Sequence, residues 1–362
     1  MSLRQKLKGV VIRVAVLSES LATSLFYMRR IGGLKSGWCN YEVLLQAWGE
    51  VKRNKSYFFS LLAYEQNLAV NLSNVMIRLE NGSYQPRELR TFYVHDPKTR
   101  LIEAPYLEDR IVQHALLIVI RDIIERHFIH QNYACRCQRG THAASDQLKS
   151  YLVNYKGEGY FLKVDIEKFF YSVDHRVLEK QLSRLIKCAP TLDLLKKFYA
   201  NDSGKGLPLG NVTSQVLANL ALDPIDHFIK RKLKIRHYVR YMDDMILLSN
   251  SKQELQNAKL RISEQVEKLN LHINRKTIIS QIKSGVDFVG YRTWYNRRVI
   301  RKRNLYKIRR KLKKDANLNR IASYLSHAMH TNSLVYVIKQ ILAVVPERRE
   351  WIIKWYFKHK KS

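Results

Sequence analysis

The sequence predicts an α+β fold in which helices cover one face of an antiparallel sheet. Residues 160–295 read in the order strand, helices, hairpin, helix and strand. The first 90 residues instead carry apolar residues at three- and four-residue intervals, as helices do. With 46% hydrophobic residues, 14 Gly and 7 Pro, the chain has material for a core. This composition excludes a fibrous or disordered protein and favours two or three globular domains.

The elements before residue 160 follow from this pattern. Apolar periodicity predicts helices over 41–51, 66–79 and 109–127. Residues 90–104 alternate like two short strands, with Asp96-Pro97 as a turn signal between them. Gly140-Thr141 is expected to open a helix that runs through 147–155.

The elements after residue 160 are more sharply marked, and we predict strands over 160–166, 271–280 and 286–295 and helices over 174–187, 213–233 and 253–269. Two apolar runs over 237–249 surround Met242-Asp243-Asp244. Beyond residue 296 the composition changes abruptly. Residues 297–314 hold eleven Lys and Arg and no acid, which indicates a domain boundary.

The charge of the chain points to a polyanionic partner. There are 64 Lys and Arg against 31 Asp and Glu, a formal net charge of +33. Such an excess strains a compact fold by self-repulsion and is best tolerated when nucleic acid is the partner. Four cysteines at irregular spacing, among them Cys135-x-Cys137, fit neither a disulfide framework nor a zinc knuckle, so we expect reduced thiols.

The N-terminus imitates a signal peptide, with a basic start and a short apolar run, but Arg13 interrupts that run. The longest uncharged apolar stretch elsewhere, residues 115–120, is far shorter than the roughly 20 residues of a membrane helix. We therefore expect a cytoplasmic protein with no membrane partner.

Carboxylates at strand ends are the candidate reactive groups. Asp243 and Asp244 lie between two β-prone runs, and Asp165 ends the apolar run FLKVDIEKFF. Asp is a common turn residue, so the adjacent pair alone would also fit a solvated turn. A charge at the end of a buried strand is costly unless it is paired or binds a cation. If the strands are neighbours, these acids meet and suit Mg²⁺. In so basic a chain, that set fits two-metal phosphoryl transfer, as in nucleases and polymerases.

Between the acids lies GLPLGNVTSQ, residues 206–215. Pro208 and Gly210 are expected to fix a tight approach, and Thr213 or Ser214 to cap a helix. A turn of this kind can lie against a base pair or a phosphate. Taken alone, it fits a plain helix cap after a loop equally well.

The ordered series FLKVDIEKFF, GLPLGNVTSQ, YMDD, a lysine after LHIN, and VDFVGYR resembles the polymerase motifs of reverse transcriptases. Upstream, HDPKTRLIEAPYLEDRIVQHAL and YACRCQRGTHAA resemble the fingers motifs of the bacterial members. The resemblance implies a right-hand polymerase fold over roughly residues 90–330. It divides the chain into an N-terminal helical region with the start of the fingers (1–89), fingers (90–159), a palm with the YMDD active site (160–295) and a basic helical thumb (296–362).

Carried over residue by residue, the resemblance makes Asp165, Asp243 and Asp244 the ligands of two Mg²⁺ ions, with Mn²⁺ as a possible substitute. Lys276 matches the lysine that assists pyrophosphate departure. Phe170 matches the aromatic that blocks a ribose 2′-OH and thus favours dNTPs, although core packing beside Phe169 is the alternative. The remaining matches are Lys98 and Arg100 for the triphosphate, Leu209, Gly210 and Gln215 beside the nascent pair, and Phe288, Gly290 and Tyr291 for the primer grip.

Leu209-Gly210 with Ser214-Gln215 resembles the reverse transcriptases of diversity-generating retroelements, which copy a template RNA with errors at adenines. Leu209 cannot make the hydrogen bonds of the Gln found there in retroviral enzymes. One neutral hydrogen bond is worth about 0.5–1.5 kcal/mol, so this change relaxes selection by roughly 2- to 13-fold and other pocket features must contribute.

The implied partners are a template RNA, the RNA–cDNA duplex with its primer, dNTPs and an accessory protein of the retroelement. Residues 297–314 are expected to follow the template–primer backbone. The alternatives are another bacterial reverse transcriptase, of the retron, group II intron-like or phage-defence type, and an inactive RNA-binding scaffold. Three acids kept together argue against the inactive scaffold.

Overall fold

The computed structural model describes residues 30–53, 59–95 and 98–360. The Asp96-Pro97 turn signal and the N-terminal segment around Arg13 lie outside these ranges. The chain folds as two units, each built from two separate stretches of sequence. Unit 1 comprises residues up to 127 together with 174–220, and unit 2 comprises 128–173 together with 221–362.

The α+β prediction is confirmed. The α-helices are α1 (Lys35–Trp38), α2 (Tyr41–Lys52), α3 (Phe59–Gln66), α4 (Leu68–Glu80), α5 (Leu107–Glu125), α6 (Thr141–Val153), α7 (Phe169–Ser172), α8 (His175–Leu185), α9 (Ala189–Lys196), α10 (Val212–Ala221), α11 (Asp223–His227), α12 (Lys252–Glu267), α13 (Lys302–Lys314), α14 (Leu318–Met329), α15 (Leu334–Leu342) and α16 (Arg349–Lys360). The strands are β1 (Arg90–Val94), β2 (Arg100–Ala104), β3 (Tyr160–Val164), β4 (His237–Tyr241), β5 (Asp244–Ser249), β6 (Ile278–Gln281), β7 (Val286–Phe288), β8 (Tyr291–Thr293) and β9 (Arg298–Ile300).

Unit 1 is helical apart from one hairpin. Asn40 caps α2 by accepting hydrogen bonds from the backbone of Glu42 and Val43, and α2 packs along α5 through buried Leu44 and Ala47. Strands β1 and β2 pair in antiparallel fashion from Arg90↔Ala104 to Val94↔Arg100. All five side chains of β1 are exposed, so this hairpin presents a free surface within the described residues.

Unit 2 contains two antiparallel sheets. The larger one has the strand order β4-β5-β3-β6, and the smaller one has the order β7-β8-β9. Helix α12 contacts β3, β5 and β6, while α6 contributes Leu148 and Leu152 to a core with Phe161 and Ile246. Burial of this apolar surface stabilises the sheets at roughly 25 cal/mol per Å².

Three element predictions need correction. The predicted strand over 286–295 is a hairpin, because Val289 and Gly290 both have positive φ and turn the chain between β7 and β8. The predicted helix over 213–233 breaks at Leu222, after which α11 begins at Asp223 with Pro224 in its first turn, and the segment then ends in a π-helical turn, Phe228–Lys232. Of the predicted strand over 271–280, only the segment from Ile278 onward forms β6.

The C-terminal helices form their own core with the smaller sheet. Ile308 and Leu312 of α13 are buried with Tyr291, Ile321 and Val337. Strand β9 pairs with β8, so the change in composition at residue 296 falls inside this sheet. Within the described ranges, no helix combines the length and apolar character that a membrane span requires.

A buried ion pair links the elements of unit 2. Arg240 and Asp226 are both 0% exposed, and the guanidinium donates to the two carboxylate oxygens at 2.7 and 2.6 Å. Tyr238 donates a third hydrogen bond to Asp226 at 2.6 Å. Although burial lowers it, the pKa of Arg240 is raised overall by the Asp226 carboxylate. The backbone of Arg240 also bonds to Gln131 and Tyr133, so α11, β4 and the segment before α6 meet at this pair.

We expect Asp226→Asn to lower the free energy of unfolding by about 3–5 kcal/mol, because it leaves a buried guanidinium without a counter-charge. Urea unfolding followed by circular dichroism measures the change. Asp202→Asn, at an exposed position, is the control and should leave the unfolding midpoint unchanged. A loss below about 1 kcal/mol for Asp226→Asn would show that the pair does not hold these elements together.

Candidate active site

The register of the larger sheet brings two predicted carboxylates together. Val164 at the end of β3 pairs with Met245 of β5 in antiparallel fashion. The next residue of each strand is Asp165 on one side and Asp244 on the other. Opposite residues of an antiparallel pair place their side chains on the same face of the sheet. Both acids are partly exposed, so they are accessible at this end of the sheet.

Asp243 lies in the turn that joins β4 and β5. The Tyr241↔Asp244 pair closes this turn, which has Met242 and Asp243 as its central residues. Met242 has a φ of 54°, a conformation that costs a non-glycine residue roughly 1–2 kcal/mol. Arg240 donates a hydrogen bond to the Met242 carbonyl at 3.0 Å. The buried ion pair therefore holds the strained turn in place.

Lys163, for which the sequence predicted no role, forms an ion pair with Asp244. Its Nζ donates to Asp244 Oδ2 at 2.9 Å, lies 2.8 Å from Oδ1 and also donates to the Asp287 carbonyl at 2.9 Å. The segment FLKVD already indicated that this lysine lies near the acids, because residues two positions apart on a strand project from the same face. Lys163 and Asp165 therefore project from the same side of β3.

The Asp244 carboxylate has the properties of a cation ligand. Burial raises the pKa of the Asp244 carboxyl; Lys163 and Arg301 work against this shift, and Asp165 adds to it. Oδ1 is buried and accepts no well-directed hydrogen bond from the described residues. Mg²⁺ prefers hard oxygen ligands such as carboxylates, so Asp244 with its buried Oδ1 and the neighbouring Asp165 fit the expected metal. Among the described residues, no three acids, histidines or cysteines are already gathered as a metal site.

The predicted lysine, Lys276, lies in a turn attached to the end of β3. Asn274 donates its backbone N–H to the Asp165 carbonyl at 2.7 Å. The Asn274 side chain accepts from the Lys276 backbone at 3.0 Å, which closes the turn. The Lys276 side chain is exposed. The structure thus brings Lys276 to the same end of the sheet as the carboxylates.

Phe170 is the more accessible of two adjacent rings. Phe169 is 3% exposed and serves the core, whereas Phe170 is only partly buried and meets Phe169 edge-on at 5.7 Å between ring centroids. Lys168, at φ 44°, turns the chain into α7 and so sets the direction of both rings. Of the two rings, Phe170 is therefore the one that is not fully used by the core.

A cationic cavity of about 590 Å³ lies beside the smaller sheet. It is lined by Asp287 and by a run of cations that includes Arg292, Arg301, Lys302 and Arg303. Asp287 pairs with Arg292 at 2.8 and 3.0 Å and lies 3.7 Å from Arg301. Because Lys163 bonds to the Asp287 backbone, the cavity adjoins the carboxylates and suits a phosphate backbone.

The predicted primer-grip residues do not present their side chains. Phe288 and Tyr291 are both 0% exposed, and Tyr291 bonds to His327 at 2.9 Å. Burial raises the pKa of Tyr291 to about 12, so it stays a neutral phenol. The turn of this hairpin, with Val289 at φ 41° and Gly290 at φ 92°, is partly exposed. A β-branched residue at positive φ is strained, and such strain often marks a functional turn.

The predicted nucleotide-binding residues lie in unit 1. Lys98, Arg100 and Gln215 are exposed, and Leu209 is partly buried. Gly210 is required by a close approach, because a Cβ there would lie 2.3 Å from the Glu103 carbonyl oxygen. The neighbouring Leu209 carbonyl accepts a hydrogen bond from the Glu103 backbone at 3.0 Å, which ties this loop to β2.

The helix after this loop is capped differently from the prediction. Helix α10 begins at Val212, so Thr213 and Ser214 lie inside it and are buried. The cap is supplied from α5 by Gln113, whose side-chain oxygen accepts from the Val212 backbone at 3.0 Å. Asn211 accepts from the same Gln113 side chain at 3.0 Å. A cap that comes from so distant a residue leaves no signal in the local sequence.

The basic run over 297–314 is not uniformly available to a ligand. Arg298 is 6% exposed and donates to Asp146, Ser145 and the His330 carbonyl at 2.6–3.0 Å, so it is a structural residue. The exposed cations of α13 are Lys302, Arg303, Arg309, Arg310, Lys313 and Lys314. Ile308 and Leu312 bury the opposite face of this helix.

Comparison with known proteins identifies the family of this chain. The family model described as reverse transcriptase (RNA-dependent DNA polymerase) matches residues 95–293. Protein YkfC of Escherichia coli is 28% identical over 67% of this chain and 74% of its own length. The group II intron-encoded protein LtrA of Lactococcus lactis is 26% identical over 58% of this chain, which spans only 36% of LtrA. The apo telomerase structure from Candida tropicalis aligns with a TM-score of 0.48 at 11% identity, over 82% of this chain and 64% of that one. The match to the family model covers more than half of the chain, which therefore belongs to the reverse transcriptase family.

Proposed function

We propose that this chain copies a template RNA into cDNA from dNTPs, with Asp165, Asp243 and Asp244 as the metal ligands. The observation that carries the proposal is the register that sets Asp165 opposite Asp244, next to a strained turn that holds Asp243. Carboxylates held by strands and a fixed turn are preorganised, as an active site needs.

The residues of the site divide the work of nucleotidyl transfer. Two Mg²⁺ ions bound to the three acids would activate the primer hydroxyl and stabilise the leaving oxygen. Lys163 holds the Asp244 carboxylate in one orientation. Lys276 neutralises charge on the departing pyrophosphate, and Lys98 and Arg100 bind the incoming triphosphate. Phe170 closes the space below the sugar. The cationic cavity around Arg301 and the exposed cations of α13 follow the primer–template backbone.

Within the family, we propose the diversity-generating retroelement type, with a structured template RNA and an accessory protein as partners. Leu209 and Gln215 support this proposal, since they follow the pattern of that group. A group II intron-like enzyme is the second candidate. The similarity to LtrA favours it, as does the match to a cob intron protein of Schizosaccharomyces pombe, 32% identical over 34% of this chain.

We expect Asp243→Asn to reduce primer extension on an RNA template by about 10³-fold or more. Losing one metal ligand removes several kcal/mol of transition-state stabilisation, and about 4 kcal/mol corresponds to that factor. The measurement is incorporation of labelled dNTP at saturating Mg²⁺. Glu264→Gln, on the exposed side of α12, is the matched control and should extend normally. Undiminished extension by Asp243→Asn would refute the assignment.

Phe170→Val should admit ribonucleotides, because a smaller side chain opens the space below the 2′ position. The readout is the ratio of kcat/KM for a ribonucleotide to that for the matching dNTP, and we expect it to rise at least about tenfold, or about 1.4 kcal/mol. Phe169→Leu, which alters the buried neighbour, tests whether the effect is only loosened packing. If both substitutions leave sugar choice unchanged, Phe170 is not the gate.

Sequencing of cDNA made on a template with all four bases tests the retroelement type. We expect errors concentrated opposite adenine, and Leu209→Gln should reduce them by roughly tenfold or less, the worth of one hydrogen bond. Leu207→Met, a buried substitution in the same loop, is the control. An error spectrum without adenine bias would favour the intron-like enzyme and leave the polymerase assignment intact.

A further inference from the structure

A second cavity, of about 530 Å³, lies at the opposite end of β3 from the carboxylates. It is lined by the segment before β3, by Ile282 and Lys283, and by the loop between β8 and β9. Lys156, Lys283 and Arg297 supply three cations, against the single acid Glu158. The loop Trp294–Arg297 contributes all four of its residues to the lining and is therefore the main wall of the cavity.

Trp294 fixes this wall in place. Its indole N–H donates to the Lys283 carbonyl at 3.1 Å, and its backbone N–H donates to the Arg297 carbonyl at 2.7 Å. A Cβ on Gly285 would lie 2.5 Å from the indole, so the ring packs directly on that backbone. The Arg297 guanidinium lies 4.4 Å from the ring centroid, in cation–π contact. The indole ring is therefore already in contact with Gly285 and Arg297.

Tyr295 is the free aromatic surface of the cavity. It is 39% exposed, and its ring lies against the backbone of Gly157, where an added Cβ would stand 3.5 Å from the ring. An exposed aromatic ring, supported from behind and bordered by cations, is the arrangement on which proteins stack the bases of single strands. The cations are placed to bind the adjoining phosphates.

The distance between the cavity and the carboxylates fits a strand that a polymerase holds beyond its reacting nucleotide. Gly159 and the five residues of β3 separate Glu158 of the cavity from Asp165, and these seven residue steps span up to about 24 Å at about 3.4 Å each. That length corresponds to about seven steps of a duplex strand, at roughly 3.4 Å each. A strand held there is beyond the reacting nucleotide and remains on the same unit of the protein.

We propose that this cavity binds a single-stranded polynucleotide, with one base stacked on Tyr295 and its phosphates on Lys283 and Arg297. The choice of a polynucleotide as ligand rests on the proposed function, and the site adds a contact for unpaired strand outside the nucleotidyl-transfer centre. RNA and DNA share the required base and phosphate, so the test uses both.

The test measures binding of a fluorescent oligouridylate and of the matching oligothymidylate to the full chain by anisotropy, without dNTPs. Tyr295→Ala should weaken binding about fivefold or more, while Tyr295→Phe should bind as wild type because it keeps the ring. The double variant Lys283→Gln with Arg297→Gln should flatten the salt dependence by about 1.4 in log K against log salt. The control, Lys339→Gln, removes an exposed cation of α15 and should change neither quantity.

Photo-crosslinking places the contact on the chain. With a 4-thiouridine oligonucleotide, we expect crosslinks in the peptide that contains Trp294–Arg297, at a yield that falls in Tyr295→Ala. Crosslinks found only elsewhere, or an affinity unchanged by Tyr295→Ala, would overturn the proposal.

Primer extension by the wild-type chain is measured separately. Extension without Tyr295-dependent binding refutes the cavity alone, whereas Tyr295-dependent binding without extension refutes the polymerase function alone.

Discussion

The Arg240–Asp226 ion pair is the interaction on which the arrangement of the candidate site depends. Both residues are fully buried, and the guanidinium also donates to the carbonyl of Met242. A buried charge without its partner costs several kcal/mol, so the pair fixes α11 against β4. The turn that carries Asp243 takes its position from this arrangement. The carboxylates are therefore placed by a charge pair that does not itself face the ligand.

Backbone strain is found at three turns in the predicted site segments. Met242, Lys168 and Val289 all have positive φ, at 54°, 44° and 41°. Met242 precedes Asp243, Lys168 lies two residues before Phe170, and Val289 lies in the turn of the β7–β8 hairpin. Each such conformation costs free energy and persists only where surrounding contacts fix it. Among the described residues, five other non-glycine residues, including Lys156 and Asn270, also have positive φ, so this conformation is not confined to the predicted site segments.

Charge is distributed unevenly around this framework. Asp244 is bonded to Lys163, and burial raises the pKa of its carboxyl group. Around it the chain carries a large positive excess, of which Arg298 is used internally while six cations of α13 are exposed. Concentrated negative charge within a positive surface suits a reaction in which cations and a polyanion meet.

The fold class and several secondary-structure elements could be predicted from the amino-acid sequence without a structure. Strand alternation and helical periodicity are local properties, so β3, the β4–β5 hairpin and α12 were predicted close to their observed bounds. The three acids were predicted as reactive groups because each one ends or joins an apolar strand. The fold class followed from these local signals, whereas the reverse transcriptase family followed from the resemblance of the ordered motifs.

The contacts around the candidate site could be recognised only in the folded chain, because they join distant positions. Lys163 meets Asp244 across 81 residues, Gln113 caps Val212 across 99, and Arg298 reaches Ser145 across 153. Local propensity carries no information on such pairs, since they form only when packing brings the elements together. The same reason explains why Arg298 could not be distinguished in sequence from the exposed cations of the same basic run.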